Sequence, residues 1–420
     1  MEEMPERELF VERIAALDIG KRELEVCVRL PSDRPGRRRQ EIRTYGATTR
    51  SLLTLAGWLA EHGVTLVVME ATSDYWKPPF YLLEAEGFEC WLLNAAQVKN
   101  TPGRPKTDRQ DAIWLAKVAE RGMARPSFIP PKPIRRLRDL TRYRRALTHD
   151  RTREKQRLEK ILEDAQIKLS AVARDILGVS SRAMIEALIA GQRDPKVLAQ
   201  LAKGRMRIKI SALQEALTGH FDDHHAFVCQ IMLDNIDRLC AQIDNLTTRI
   251  EELIAPFQHQ VDQLDEIPGV GRIGAQDILA EIGVDMTVFP TDAHLVSWAK
   301  FAPQIKESAG KRKGSSTTGQ GNPWLGGALG EAATGAARSP TFLAARYKRI
   351  AKRRGTRRAL VAVGHSILTI ACHLLSDHDA HFVDLGADWH TSRINPEQQT
   401  RNLVRQLQRL GHTVTLEPAA

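Results

Sequence analysis

The sequence predicts an α/β domain at the N-terminus, a basic helical and coiled-coil connector, and a mainly helical C-terminal domain. Three observations lead to this class. Strand and helix patterns alternate up to Gly122, a proline cluster at Pro130 precedes a long basic helical pattern, and a heptad-spaced apolar series ends near Phe257. We therefore expect domains over residues 1–127, 128–258 and 259–380, with a tail over 381–420.

The chain begins with the patterns of three successive strands. Arg13–Ile19 is mainly apolar, carries Asp18 near its end and is followed by a Gly-Lys turn. Glu23–Leu30 is the second strand, so the two should form a hairpin. Gln40–Tyr45 can form a third strand after a loop rich in Pro, Gly and Arg. The first strand thus places a carboxylate at its end.

Helices then alternate with two further strands. A helix capped by Thr48 or Thr49 should run to about His62. Val64–Met69 is a nearly continuous apolar strand of the buried kind, and Glu70 follows at its end. The remaining elements are a helix through Tyr81–Glu86, a strand Phe88–Leu93 and a helix from Asp108. This order matches the ribonuclease-H-like fold, a central mixed sheet with acids at strand ends and on the last helix.

The last of these helices has a well-defined start. Thr107 followed by Gln110 fits a capping box, and Gly122 is a plausible stop. Asp108 and Asp111 are three residues apart, so both carboxylates should lie on one face. An exposed, well-capped helix is the alternative, because acids are common in first turns.

The four acids Asp18, Glu70, Asp108 and Asp111 come from the positions where such a fold gathers metal ligands. Four carboxylates in one cleft would repel each other unless a cation held them. The pattern therefore predicts one or two Mg²⁺ ions, about 3.5–4 Å apart if there are two, that hold a phosphodiester.

Charge and composition limit the classes of binding partner and the cellular compartment that we expect for this protein. The formal net charge is +10, which favours a polyanion such as nucleic acid. The most apolar run, Ala359–Leu375, is short and interrupted by histidines, so we expect a buried helix and no membrane insertion. The acidic N-terminus lacks an apolar signal core, which predicts a cytoplasmic protein. Five scattered cysteines indicate neither disulfides nor a zinc site.

The connector combines a basic helix with a heptad seam. Its basic side chains surround the predicted helix on most faces with few acids between them, which favours contacts with phosphates. They are Arg135, Arg136, Arg138, Arg142, Arg144, Arg145, Arg151, Arg153, Lys155 and Arg157. The seam runs from Met232 through Asn235 to Phe257 and could pair within the chain or between two chains.

The C-terminal region contains a glycine turn and a polar loop. The turn Pro268–Gly271, with Gly269 and Gly271, resembles the hairpin of helix-hairpin-helix modules, where backbone N–H groups approach a phosphate, although plain helix connectors look the same. The loop Lys306–Asn322 is rich in Gly, Ser and Lys. Its chemistry alone does not distinguish Ser308 from the other hydroxyl groups of the loop, Ser315, Ser316 and Thr317.

These motifs together resemble a known family, the DEDD transposases of the bacterial insertion sequences numbered one-ten, which are also described as RNA-guided serine recombinases. The resemblance extends from about Ile14 to Leu375 and is weakest in the middle. The motifs that carry it, in order, are LDIGKREL, VVMEATSDYW, NAAQVKNTPGRPKTDRQDA, IPGVG and KESAGKRKG. It implies an N-terminal domain similar to Holliday-junction resolvases, a coiled-coil connector and a C-terminal transposase domain.

The resemblance also implies roles for residues and partners. Asp18, Glu70, Asp108 and Asp111 would bind the metal, and Ser308 would attack the scissile phosphate. The partners would be double-stranded DNA, at the element ends and the target, a noncoding guide RNA, and further copies of the chain in a dimer or tetramer that could share active sites. Together with the basic motifs, it predicts nucleic-acid contacts by Arg104, Lys106, Arg135, Arg138, Arg142, Arg145, Gly269, Gly271, Lys311, Arg312 and Lys313.

Two features depart from the family pattern, and two other functions stay open. Ser73–Asp74 replaces a small-residue pair, and Pro78–Pro79 is unusual inside a helix. A hydrolytic nuclease or junction resolvase would need the acids but not Ser308. A nucleic-acid-binding protein without catalysis would need neither, although four acids in these positions argue against it.

Overall fold

The computed structural model describes residues 11–33, 37–94, 107–303, 307–312, 318–389 and 396–417, but not the side chains of 308, 312, 396 and 398. The chain forms two compact units, Met1–Ile129 and Pro130–Ala420. We describe each by itself.

Unit 1 is a five-stranded mixed sheet with helices on both faces. Its elements are β1 (Ile14–Ile19), β2 (Glu23–Pro31), β3 (Arg38–Gly46), α1 (Thr49–Glu61), β4 (Leu66–Glu70), α2 (Lys77–Ala85), β5 (Glu89–Leu93) and α3 (Asp108–Glu120). The strand order is β3-β2-β1-β4-β5. The first three strands are antiparallel, whereas β1, β4 and β5 are parallel. The prediction of a mixed sheet is confirmed, and its order is consistent with a ribonuclease-H-like fold.

Alternation along the strands divides the core between the two faces. Leu17 and Met69 lie on the face that α1 and α2 cover, through residues such as Leu55. Ala16 and Val68 lie on the opposite face and pack against Leu115 and its neighbours on α3. β4 is buried along its whole length because it lies between two strands and under helices on both sides.

The proline pair of α2 does not interrupt this helix. The helix begins at Lys77, earlier than the apolar pattern indicates, so Pro78 and Pro79 fall in its first turn. The N–H groups of a first turn have no partner within the helix, so proline loses nothing there. The preceding turn contains Ser73 at φ 47°, a left-handed conformation that is uncommon for serine.

Unit 2 is mainly helical. Its helices are α4 (Lys132–Asp164), α5 (Leu169–Val172), α6 (Val179–Ile189), α7 (Pro195–Gln200), α8 (Ile210–Ala216), α9 (Asp223–Ile254), α10 (Gln258–Asp265), α11 (Gly271–Ile282), α12 (Asp292–Trp298), α13 (Pro323–Ala336), α14 (Phe342–Arg354), α15 (Thr356–Ser376) and α16 (Pro396–Arg409). Short 3₁₀ segments cover Gly204–Lys209, Ala255–Phe257 and Met286–Val288, and a small hairpin joins β6 (Glu307–Ser308) to β7 (Lys311–Arg312).

The long helices α4 and α9 pack against each other within the chain. Leu147 of α4 lies in one cluster with Leu239 and Ile243 of α9. Toward the other end, Leu158 contributes to a cluster that contains Leu233. The pairing is therefore antiparallel, which is one of the two arrangements that the heptad seam allows. Asn235 of the predicted seam is only half-buried and accepts a hydrogen bond from Arg238 Nη2 at 3.4 Å.

The apolar helix α15 lies in the core of unit 2. By length and composition it could cross a membrane, and it is the one helix of the described residues for which this holds. Its buried residues include Val363, Ile367 and Leu368, and Gly364 lies directly against the ring of Phe301. Core helices of this length pass the same composition test, so the helix is weak support for a membrane span.

Candidate active site

Asp18 and Glu70 are neighbours because β1 and β4 are parallel and adjacent. The register pairs Leu17 with Met69, so the next residues along, Asp18 and Glu70, lie side by side. Both have the strand parity of Ala16 and therefore belong to the face that α3 covers. Glu70 is only 7% exposed, and Asp18 is partly buried.

Helix α3 brings two further carboxylates to the same face. Thr107 caps the helix, and its side-chain oxygen accepts a hydrogen bond from the Gln110 N–H at 3.3 Å, as the capping pattern predicts. Asp108 and Asp111 therefore lie in the first turn, the former exposed and the latter half-buried. Buried Ala112 continues this helix onto the sheet.

The electrostatics of Asp18 show that the four acids act on one another. Burial first, and then the nearby carboxylates of Asp108, Asp111 and Glu70 in that order, together raise the pKa of Asp18 from 3.8 to about 6. Like charges that share a site disfavour the ionised form. The structure thus brings together the four acids that the sequence singles out.

The donor chemistry of this cluster fits a hard divalent cation. Carboxylate oxygens are the ligands that Mg²⁺ prefers, and a cation would remove the repulsion that raises the pKa of Asp18. Within the described residues, however, no group of three or more His, Cys, Asp or Glu side chains stands in an arrangement that could hold a metal ion as it is. The carboxylates would have to move closer together to bind one.

A buried ion pair positions the far end of α3, and the sequence analysis did not identify it. Glu120, 1% exposed, accepts hydrogen bonds from Arg29 Nε at 2.8 Å and Arg29 Nη2 at 3.1 Å, and Arg38 Nε lies 3.5 Å away. This bidentate pair ties α3 to β2. The signal in the sequence was the spacing of four from Ala112 and Ala116 to Glu120, which puts the acid on the buried face of the helix.

Ser308 lies beside a tight turn in unit 2. The hairpin pairs Ser308 with Lys311, and the turn consists of Ala309 and Gly310 at φ 52° and 71°. A left-handed alanine is unfavourable, and such strain occurs often at functional sites. The structure describes the backbone of Ser308 and Arg312 but not their side chains, while Lys311 is exposed.

Several of the predicted nucleic-acid contacts already have partners within unit 2. Arg142 donates two hydrogen bonds to Glu281, at 2.7 and 2.8 Å, and Arg138 lies 3.4 Å from the same carboxylate. Arg145 pairs with Asp277 and Glu331. Phosphate contact by these three guanidinium groups would require the pairs to open, and it stays a prediction, as it does for the half-buried Arg135.

The remaining predicted contacts divide into three groups. Gly269, at φ 89°, packs so closely on α13 that an added Cβ would lie 2.3 Å from the Ala332 oxygen. Its lack of a side chain therefore serves helix packing. Gly271, at φ 60°, has open space around it. Arg104, Lys106 and Lys313 lie outside the described residues.

Comparison with known protein families matches two parts of the chain. A DEDD model described as Transposase matches residues 15–167, which include all four acids. A model described as Transposase IS116/IS110/IS902 family matches residues 261–364, which include the hairpin of Ser308. A comparison with curated proteins gave no match. Because the two matches fall in order on the acid cluster and on the serine hairpin, the chain belongs to the IS110 family of transposases, enzymes that cleave and rejoin DNA.

Proposed function

We propose that this transposase cuts and rejoins DNA through a covalent bond to Ser308, at a phosphate held by the carboxylates of Asp18, Glu70, Asp108 and Asp111 with Mg²⁺. The observation that carries the proposal is the convergence of these acids at one edge of the sheet, where burial and then their mutual repulsion raise the pKa of Asp18 to about 6. Such repulsion has no benefit for folding and is relieved when a cation binds. The strand order of unit 1 also supports a ribonuclease-H-like fold similar to junction resolvases.

The serine step balances without water or another reactant. The Oγ of Ser308 attacks the scissile phosphorus, the bond from phosphorus to the 3′ oxygen breaks, and that oxygen takes up the proton that the hydroxyl group loses. A phosphoserine-linked 5′ end and a free 3′ hydroxyl group remain. After strand exchange, a 3′ hydroxyl group attacks the phosphoserine and restores the serine. When bound, Mg²⁺ would neutralise charge on the phosphate.

The partners follow from the family and from the charge. We infer that a noncoding RNA of the same element selects the DNA, because members of the family that the chain resembles are described as RNA-guided recombinases. A net charge of +10 also suits two polyanionic partners, DNA and RNA. We expect the reaction in the cytoplasm, carried out by a dimer or tetramer. The α4–α9 pair would belong to the predicted connector, residues 128–258, and the helices that follow it to the predicted transposase domain, residues 259–380.

The deciding experiment looks for the covalent intermediate. The protein is co-expressed with the DNA that flanks its gene, so that any guide RNA is present, and is then incubated in Mg²⁺ with end-labelled donor and target DNA. We expect a protease-sensitive protein–DNA adduct that is lost in Ser308→Ala and in Asp108→Ala.

Two controls make this result specific. Ser315→Ala and Ser316→Ala remove neighbouring hydroxyl groups and should keep the adduct. Free cut ends without an adduct, if they persist in Ser308→Ala, would instead indicate hydrolysis by a metal nuclease. Activity that survives Asp108→Ala would contradict the role of the acids.

A further inference from the structure

A strongly basic surface of the described chain lies at the junction of α14 and α15. Seven cations fall between residues 348 and 358, and all seven are exposed. We call them the basic corner: Lys348, Arg349, Lys352, Arg353, Arg354, Arg357 and Arg358. Gly355, at φ 85°, separates the two helices and turns the chain between them.

The basic corner has no acids to neutralise it. The chain contains no Asp or Glu between Glu331 and Asp377. Within the described part of the chain, none of the seven side chains forms an ion pair. The arginines of α4 differ, because other elements supply their carboxylates: Arg144 lies 2.9 Å from Asp277, and Arg142 lies 2.7 Å from Glu281.

Helix stability explains only part of this arrangement. Lys352, Arg353 and Arg354 lie in the last turn of α14, where the helix dipole favours cations. Arg357 and Arg358 lie in the first turn of α15, which has no acid and where the dipole disfavours cations. Seven like charges at one junction therefore cost stability unless an anion binds them.

A half-buried arginine of α14 experiences the positive charge of one corner residue. Arg346 of α14 is half-buried, and its Nε has no hydrogen-bond partner among the described residues. Burial lowers the pKa of Arg346, and the neighbouring charge of Arg349 lowers it further. Among the described residues, Arg346 forms no ion pair that would offset this charge.

We propose that the basic corner binds the phosphate backbone of double-stranded DNA without reading its sequence. Lys348 to Arg354 span about 9 Å of helix, and a duplex carries one charge per about 1.7 Å of its axis, so several phosphates come within reach. Aromatic rings, which stack on the bases of single strands, are absent between residues 348 and 358, and the preceding Tyr347 is half-buried. The contact is therefore electrostatic and involves several phosphates of a duplex.

The inference rests on the proposed function only in that DNA is the substrate, and its test does not depend on strand cleavage. The full chain is titrated with a labelled DNA duplex of arbitrary sequence at several salt concentrations between about 50 and 200 mM. The corner variant combines Lys352→Ala, Arg353→Ala, Arg357→Ala and Arg358→Ala. We expect the slope of log K against log salt to become shallower by about three to four, and affinity at low salt to fall on the order of 100-fold.

The matched control removes the same charge from arginines that have carboxylate partners. It combines Arg43→Ala, Arg182→Ala, Arg249→Ala and Arg401→Ala, whose partners are Glu41, Asp237, Glu252 and Glu397. We expect it to bind within about threefold of wild type, because exposed ion pairs contribute little charge to the field. An equal loss in both variants would overturn the inference, since net charge alone would then explain binding.

Two further variants separate the possible causes. Replacing Arg353, Arg357 and Arg358 by lysine keeps the charge and should keep the salt slope. If the loss of binding came from a folding defect at these positions, the lysine variant would not keep it. Ser308→Ala should bind the duplex as wild type does, so a failure of the serine mechanism leaves this test intact. Loss of binding to RNA with duplex DNA binding unchanged would overturn the assignment to DNA.

Discussion

Asp18 shows how neighbouring residues determine the chemistry of one side chain. Its place at the end of a buried strand removes part of its hydration, and three other carboxylates add repulsion. Its raised pKa of about 6 means that the folded state keeps a proton between about pH 4 and 6 that the unfolded chain releases. Stability of unit 1 should therefore fall as pH rises through this window and level off above it.

Asp18→Asn should remove this pH dependence and stabilise unit 1 at pH 7. We expect a gain of about 1 kcal/mol in the free energy of unfolding, because solvent screens a partly exposed carboxylate and reduces the full effect of the shift. Thermal unfolding with a chelator present, from pH 4 to 8, measures it. Glu23→Gln, at an exposed position of β2, is the control and should change little. A less stable Asp18→Asn at pH 7 would contradict the inferred repulsion.

At the scale of elements, the turn between α10 and α11 contains two glycines that have different structural roles. Gly269 allows α13 to approach the turn backbone, whereas Gly271 has a left-handed conformation in open space. The sequence pattern treats the two glycines alike, as contacts for a phosphate. The structure assigns only Gly269 to helix packing.

Gly269→Ala and Gly271→Ala should therefore differ in stability. The Cβ at residue 269 would lie 2.3 Å from backbone atoms of Ala332 and Ala336, so helices must move apart, and we expect a loss of at least about 3 kcal/mol. Gly271→Ala adds only conformational strain of about 1–2 kcal/mol. Urea unfolding followed by circular dichroism compares them. Equal losses would mean that the close approach at Gly269 is not what holds the turn.

At the scale of the whole molecule, two compact units imply two cooperative transitions. Asp18 belongs to the first unit, and the buried Glu281, 2% exposed, belongs to the second, where Arg138 and Arg142 pair with it and Asn322 donates a hydrogen bond to it at 2.5 Å. Each residue should report on its own unit alone.

Calorimetry of Asp18→Asn, Glu281→Ala and the double variant tests this expectation. Glu281→Ala leaves two guanidinium groups without their buried partner and should cost about 3–5 kcal/mol in one transition. Asp18→Asn should raise the midpoint temperature of the other transition, and the double variant should show both shifts together. Glu331→Ala, at the exposed partner of Arg145, is the control and should cost less than about 1 kcal/mol. A shift of both transitions by either single substitution would contradict independent units.

The sequence by itself determined the elements of unit 1, the start of α3 at Thr107, and the family. These features depend on side-chain periodicity and on capping groups that lie within a few residues of each other, so they can be read locally. The four acids could be identified because each stands at the end of such an element. Their mutual repulsion followed from the order of the strands, which places Asp18 beside Glu70.

Only the tertiary structure decided which basic side chains form ion pairs and which do not. In sequence, the arginines of α4 and those of the basic corner look alike, and the acids near α4 are too few to neutralise it. Folding brings Asp277 and Glu281 to α4, and Glu120 to Arg29, across long stretches of chain, while among the described residues no acid forms an ion pair with the basic corner. Such pairs depend on how distant elements pack, and no local pattern encodes that packing.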